Sequence, residues 1–260
     1  MRALVFGNSH TACLIEAWRE VAARTGEATP EVTLEFFVRS GSGVAEYELA
    51  GTRIAAATEA QKAFLARLSL PVAQDLAGFD ALVIVGSEVS LFHVVHVLNR
   101  YRILDWPMTQ DPEMPALTEA VLRLAVAEAL HASNAAQLMA ALRAIPALAA
   151  KPIHLVPQPF VSERALTASK AGAGFKRLCR EQIGDLAAQV FTDETARLAA
   201  SFDVRFHPQP VETIVHGCLT AQRFTERARR LVNLGQLQPA DDILHANLAY
   251  GRLILHQICG

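Results

Sequence analysis

Two stretches at opposite ends of the chain carry residue types that could do covalent chemistry. Leu4-Val5-Phe6-Gly7-Asn8-Ser9-His10-Thr11 is an apolar run that breaks on Gly-Asn-Ser just before a helical pattern opens. A serine placed there sits at the carboxyl end of a strand and beside a helix N-terminus, the crevice in which open α/β sheets bind ligands. Backbone N–H groups and the helix dipole favour negative charge at the same place. Ser9 is therefore a candidate nucleophile or anion-binding hydroxyl; the alternative is that Ser9 or Thr11 caps the helix. Near the other end stands Pro239-Ala240-Asp241-Asp242-Ile243-Leu244-His245-Ala246-Asn247. Asp242 and His245 are spaced i, i+3, so a helical turn would bring them to one face. A carboxylate on one imidazole nitrogen fixes the tautomer and supports the imidazolium formed when the other nitrogen takes a proton. The plainer alternative is that Asp241 or Asp242 caps the last helix and His245 is an interior polar residue.

The elements that must position these residues can be read from hydrophobic periodicity. Residues 2–6, 32–38, 80–86, 153–156 and 204–206 read as short, mostly apolar strands, as buried parallel strands do. Helical patterns fill 11–24, 58–68, 89–104, 116–132, 134–149, 176–200, 220–231 and 243–258. Tyr47 to Ala57 fits either a short strand or a small hairpin, and residues 160–174 read as a loop crossing over a site. Strands alternating with helices predict an α/β fold, a parallel five-stranded sheet in a three-layer α/β/α sandwich. The chain, residues 1–260, reads as a single domain with a helical elaboration at about 89–150. The Ala-rich helices within that elaboration could form a lid or a dimer face; the oligomeric state is left open.

Composition narrows the function classes. The chain is 52% hydrophobic and 19% charged with a net charge of −2, and has no basic block, so nucleic acid is not expected as a partner. No apolar run approaches ~18 residues, so no membrane span is expected. The sequence opens directly on a core strand, which leads to the expectation of a cytoplasmic protein without a signal peptide. Cys13, Cys179, Cys218 and Cys259 are scattered without CxxC pairing, which argues against a zinc site or a disulfide framework. His93 and His96 are spaced i, i+3 but have no third ligand at a convincing spacing, so no metal is expected. Ala171-Gly172-Ala173-Gly174-Phe175-Lys176 matches neither a P-loop nor a dinucleotide fingerprint, and no cofactor is expected.

Taken together, Gly7-Asn8-Ser9 after the first strand and Asp242-Ile243-Leu244-His245 after the fifth resemble the SGNH (GDSL-type) hydrolase superfamily. The resemblance implies a flavodoxin-like SGNH-hydrolase fold and a metal-independent catalytic triad: Ser9 the nucleophile, His245 the base, Asp242 its partner. It also implies oxyanion-hole contributions from a glycine, here Gly43 or Gly41 with Gly43 preferred, and from a Gly-x-Asn motif after the third strand. The chain departs from the family pattern twice. Asn8 replaces the usual aspartate, and Gly86-Ser87-Glu88 puts a glutamate in the asparagine slot. An ionised glutamate accepts hydrogen bonds and cannot donate them. The Ser87 hydroxyl, a protonated Glu88 or backbone groups alone would have to serve, and losing one oxyanion donor costs about 10²–10³ in rate.

His10 could touch substrate or pack at the helix start, and Asn247 and Tyr250, just past the base, are further candidates for the pocket wall. The leading expectation is a serine-dependent esterase or acyl hydrolase acting on a small-molecule or carbohydrate ester. The alternatives are an O-acyltransferase on a sugar or polysaccharide precursor with the same triad, and a catalytically silent binding protein of the same fold, which Glu88 favours.

Overall fold

A computed structural model describes residues 1–25, 32–39, 46–108, 113–167 and 172–259. Its centre is a parallel five-stranded sheet of β1 (Arg2–Gly7), β2 (Thr33–Val38), β3 (Ala81–Val85), β4 (Ile153–Val156) and β5 (Arg205–Phe206), in the order β5-β4-β3-β1-β2. Past Arg2, every residue of β1, β3 and β4 is buried, because both faces of the sheet are covered. The helices that cover it are α1 (Ala12–Thr25), α2 (Glu59–Arg67), α3 (Phe92–Leu98), α4 (Glu119–His131), α5 (Asn134–Arg143), α6 (Ala173–Arg180), α7 (Gly184–Ser201) and α8 (Leu248–Cys259). Six of them gather into two groups. The first and last helices lie along each other, and α3, α4, α6 and α7 pack together, an arrangement consistent with three α/β/α layers. Gly251 permits the close approach of α8 to α1: a Cβ there would run into the Cys13 carbonyl.

The strand order reverses between β1 and β3, since the chain runs from β1 to β2 on one side and returns to β3 on the other. A crevice forms at the carboxyl ends of strands that part in this way. Residues 8–11 and 86–88 open directly onto it.

The periodicity misplaces several helix ends, each for a local reason. The pattern over 89–104 is helical only from Phe92 to Leu98. The Arg102 and Leu104 N–H groups turn instead to the Pro115 and Leu117 carbonyls, making a two-residue parallel pair, Arg102–Ile103 with Ala116–Leu117. The stretch 176–200 is two helices, broken where Gln182 adopts a φ of 57°. The helix expected over 134–149 stops at Arg143, and Pro146 opens a short 3-10 turn. Residues 220–231 hold only a 3-10 turn, Gln222–Phe224; Arg227 at φ 59° then leads into an antiparallel hairpin, Arg229–Arg230 with Asn233–Leu237. Tyr47 to Ala57 resolves as a hairpin, Tyr47–Ala50 with Arg53–Ala56, extended by Ala73–Asp75.

Within the parallel sheet, His154 of β4 and His207 just past β5 are both buried and meet at 2.8 Å, Nδ1 to Nε2. Their rings lie nearly parallel, with centroids 5.0 Å apart. One ring must donate and the other accept, so the contact holds only while at least one is neutral. Burial lowers the His207 pKa to about 4, helped by His154 and Arg205, and burial lowers that of His154 as well.

Candidate active site

The first loop is folded by Asn8. Its Oδ1 accepts from the His10 N–H at 3.2 Å, and its carbonyl accepts from the Thr11 N–H and hydroxyl, closing a 3-10 turn over Ser9–Thr11 that leads into α1. Capping thus falls to Asn8, neither to Ser9 nor to Thr11, and the Ser9 hydroxyl is left for other partners. The Ser9 N–H opens the turn, where the first N–H groups have no intrahelical acceptor.

The other half of the site is built without a helix. Asp242 and His245 precede α8, so their proximity comes from a tight turn and not from a shared helical face. The cause is Asn247, whose Oδ1 accepts from the Ala249 and Tyr250 N–H groups and so fixes where the helix begins. Its Nδ2 donates to the Arg223 and Glu226 carbonyls at 2.8 and 2.9 Å. Asn247 is therefore a cap and a clamp, and the expectation of a pocket residue inside the last helix is corrected: its amide is spent on the scaffold. Tyr250 is likewise in the core, 2% exposed.

The turn from Pro239 to Ala246 is pinned at several points. Arg164 donates to the Ala240 carbonyl at 2.7 Å and to the Asp242 carbonyl at 2.6 Å. The Ser162 N–H donates to the Ile243 carbonyl at 2.8 Å, and Ile243 and Ala246 are buried. Sequence reasoning missed Arg164, because a guanidinium bonded to carbonyls so far along the chain leaves no local pattern.

These two loops bring the predicted residues together. His245 Nε2 lies 3.0 Å from Ser9 Oγ, and His245 Nδ1 lies 2.9 Å from Asp242 Oδ1. Asp242 Oδ2 also accepts from the His245 backbone N–H at 3.1 Å. Burial works to raise the Asp242 pKa, but the hydrogen bonds and charge of His245 outweigh it and hold the carboxyl below its usual range. Asp242 is thus an acceptor at neutral pH, which orients Nδ1–H toward it and leaves Nε2 able to accept from Ser9. A cavity of about 170 Å³ opens over Ser9 and His245, walled by Arg230, Leu231, Val232 and Gln238 of the hairpin region. That wall is not legible in the sequence, where Arg230 and Leu231 fall inside the stretch 220–231 that reads as a helix.

His10 stacks on His245, ring centroids 5.1 Å apart and 22° from parallel. Burial, then the neighbouring His245, lowers its pKa to about 3, so it is a neutral ring at physiological pH. Its Nδ1 is buried without a hydrogen-bond partner among the described residues.

The loop after β3 supplies no side-chain donor to the serine. Gly86, Ser87 and Glu88 all have positive φ, at 68°, 49° and 71°. Gly86 is also close to the first loop, where a Cβ would sit 2.7 Å from Asn8 Oδ1. The buried Ser87 hydroxyl donates to the Val85 carbonyl at 3.3 Å. The Glu88 carboxylate accepts from the Asn134 N–H at the start of α5, at 3.2 Å, where a helix N-terminus favours negative charge. Ser87 and Glu88, both expected as oxyanion or substrate contacts, are thus engaged elsewhere. Gly41 and Gly43, the other expected donors, lie outside the described residues. His93 rests against the Glu88 carbonyl, 2.7 Å from its Nε2. No group of three or more His, Cys, Asp or Glu that could hold a metal ion occurs among the described residues. No described helix is long and apolar enough to cross a membrane.

No family model matches the sequence, and no curated protein matches it. A crystal structure of a protein from Lactobacillus plantarum, 14% identical, aligns over 99% of this chain and 94% of its own with a TM-score of 0.42. A likeness that distant says nothing about activity.

Proposed function

We propose that this chain is a serine-dependent esterase or acyl hydrolase, a divergent relative of the SGNH (GDSL-type) hydrolases with a flavodoxin-like sheet. The observation that carries the reading is the hydrogen-bonded relay Ser9 Oγ, His245 Nε2, His245 Nδ1, Asp242 Oδ1, with contacts of 3.0 and 2.9 Å. It joins the first loop to the last, and such an alignment of nucleophile, base and orienter is what acyl transfer needs. The strand order β5-β4-β3-β1-β2, with Ser9 at its reversal point, supports the same reading.

In this mechanism His245 Nε2 takes the Ser9 hydroxyl proton as Oγ bonds to the ester carbonyl carbon. The carbonyl π electrons move to oxygen, and the oxyanion faces the Ser9 N–H. Asp242 holds the imidazolium. The imidazolium then returns its proton to the departing alkoxide, the C–O bond breaks, and an acyl ester of Ser9 remains. Water, deprotonated by the same nitrogen, repeats the sequence and frees the acid. A sugar hydroxyl in place of that water would make the protein an O-acyltransferase.

The competing reading is a binding protein without turnover. It is favoured by one observation: the side chains of Ser87 and Glu88 both bond elsewhere. Fluorophosphonate labelling and p-nitrophenyl acetate hydrolysis separate the two. Labelling and hydrolysis that both disappear in Ser9→Ala support the enzyme; folded wild-type protein that neither labels nor hydrolyses supports the silent reading.

A further inference from the structure

The cavity over Ser9 and His245 has one cationic wall residue, Arg230, alongside Leu231, Val232 and Gln238. Most arginines around it are committed to the protein. Arg229 pairs with Glu16 at 2.7 Å, Arg164 holds the Ala240 and Asp242 carbonyls, and Arg223 reaches the Glu212 carbonyl and lies over the Phe224 ring. The Arg230 side chain is exposed and makes no hydrogen bond or ion pair among the described residues, its pairing with Asn233 being through the backbone. The hairpin explains the difference. Successive residues of a strand point to opposite faces, and Arg229 and Arg230 are neighbours in the hairpin's first strand. Arg229 goes to α1, and Arg230 goes to the pocket.

A guanidinium is a planar fork of donors, suited to carboxylate or phosphate oxygens, and it gains most where solvent is partly excluded. Gln238, whose Nε2 reaches the Arg229 carbonyl at 3.5 Å with one of its two N–H groups, is on the same wall. Leu231 is buried and Val232 exposed, and both line the cavity with apolar surface. The wall therefore combines one cation, one amide and a small apolar step.

We propose that the ester taken by this site carries an anionic group, a carboxylate or phosphate, that Arg230 binds with Gln238 beside it. This rests on the hydrolase reading for the word ester, but the anion preference can be read from binding alone. The Ser9→Ala protein is titrated calorimetrically with two matched pairs: monomethyl against dimethyl succinate, and acetoxyethyl phosphate against acetoxyethanol. At least one charged ester binds about tenfold more tightly than its neutral partner, the scale of a charge-assisted hydrogen bond. Which pair shows it identifies carboxylate or phosphate.

Adding Arg230→Gln removes the preference, Arg230→Lys keeps part of it, and raising salt weakens it. Circular dichroism establishes that each variant is folded. Equal affinity within both pairs, or a preference that survives Arg230→Gln, overturns the proposal. The two readings fail separately. Anion-selective binding with no turnover by wild type would sink the hydrolase and leave the anion site standing, whereas hydrolysis blind to charge would do the reverse.

Discussion

Asp242→Asn is the most informative single change, because the structure fixes how it must act. The carboxylate accepts twice from one residue, from His245 Nδ1 at 2.9 Å and from the His245 backbone N–H at 3.1 Å. An asparagine in the same place offers one acceptor and one donor group. If its oxygen stays on the backbone N–H, its NH₂ meets Nδ1 and drives the ring proton to Nε2. That nitrogen faces Ser9 at 3.0 Å and could then no longer accept its proton. If the oxygen stays on Nδ1 instead, the NH₂ opposes the backbone N–H and the turn loses a bond. In the second case the imidazolium also forms without a carboxylate beside it. The expected loss is about 10³–10⁴ in kcat, or about 4–5.5 kcal/mol on the barrier, with stability lowered by only about 1–2 kcal/mol. Stopped-flow hydrolysis of p-nitrophenyl acetate, with urea denaturation alongside, reads both quantities. A variant that folds and keeps kcat within tenfold of wild type would refute the reasoning, since the orienting carboxylate would then have no role.

Two further changes follow from the same contacts. Arg164→Ala removes the donors that hold the Ala240 and Asp242 carbonyls; kcat for p-nitrophenyl acetate is expected to fall about tenfold or more with KM little changed, and Arg164→Lys to restore part of it. An equal rise in KM with kcat intact would show that the residue acts on binding and not on the Asp242 turn. Stability should depend on pH through the buried rings: folding lowers His10 from 6.5 to about 3 and His207 to about 4, and lowers His154. The unfolded chain then takes up protons that the folded one refuses, so stability is complete above about pH 6.5 and is lost as pH falls toward about 4. His10 and His207 each contribute about 2 kcal/mol to that loss by pH 5. Asp242, whose carboxyl is depressed in the folded state, adds its loss at lower pH still. A urea midpoint at pH 5 equal to that at pH 7 would contradict this.

How much could be read without coordinates depends on how local each signal is. The strands are legible because buried parallel strands are short and mostly apolar, and Leu4 to Gly7 or Ala81 to Val85 can hardly be anything else. Ser9, Asp242 and His245 are legible as types at meaningful positions, but the geometry that joins the last two is not. A shared helical face was expected; a capped turn held by Arg164 and Asn247 is what joins them. The hairpin at Arg229–Leu237 is hidden because its first strand falls inside the stretch 220–231 that reads as a helix, and the left-handed Arg227 before it has no sequence signature. Arg230 was therefore invisible as a wall of the cavity. The contact between His154 and His207 was hidden for another reason, since the pairing of neighbouring strands leaves no local trace in sequence. Glu88 shows a converse limit. Its departure from the Gly-x-Asn pattern was plain, whereas its use as an acceptor at the start of α5 needed the fold.

The central claim is that Ser9 becomes acylated by way of His245. Mixing wild-type protein with p-nitrophenyl acetate, quenching in acid during the first turnover and measuring the intact and peptide masses tests it most directly. The account predicts one acetyl group on the peptide holding Ser9, formed with a burst of p-nitrophenol and absent from folded Ser9→Ala and His245→Ala. Product release with no acetylated Ser9 peptide, or an adduct that persists at full rate in His245→Ala, would contradict it.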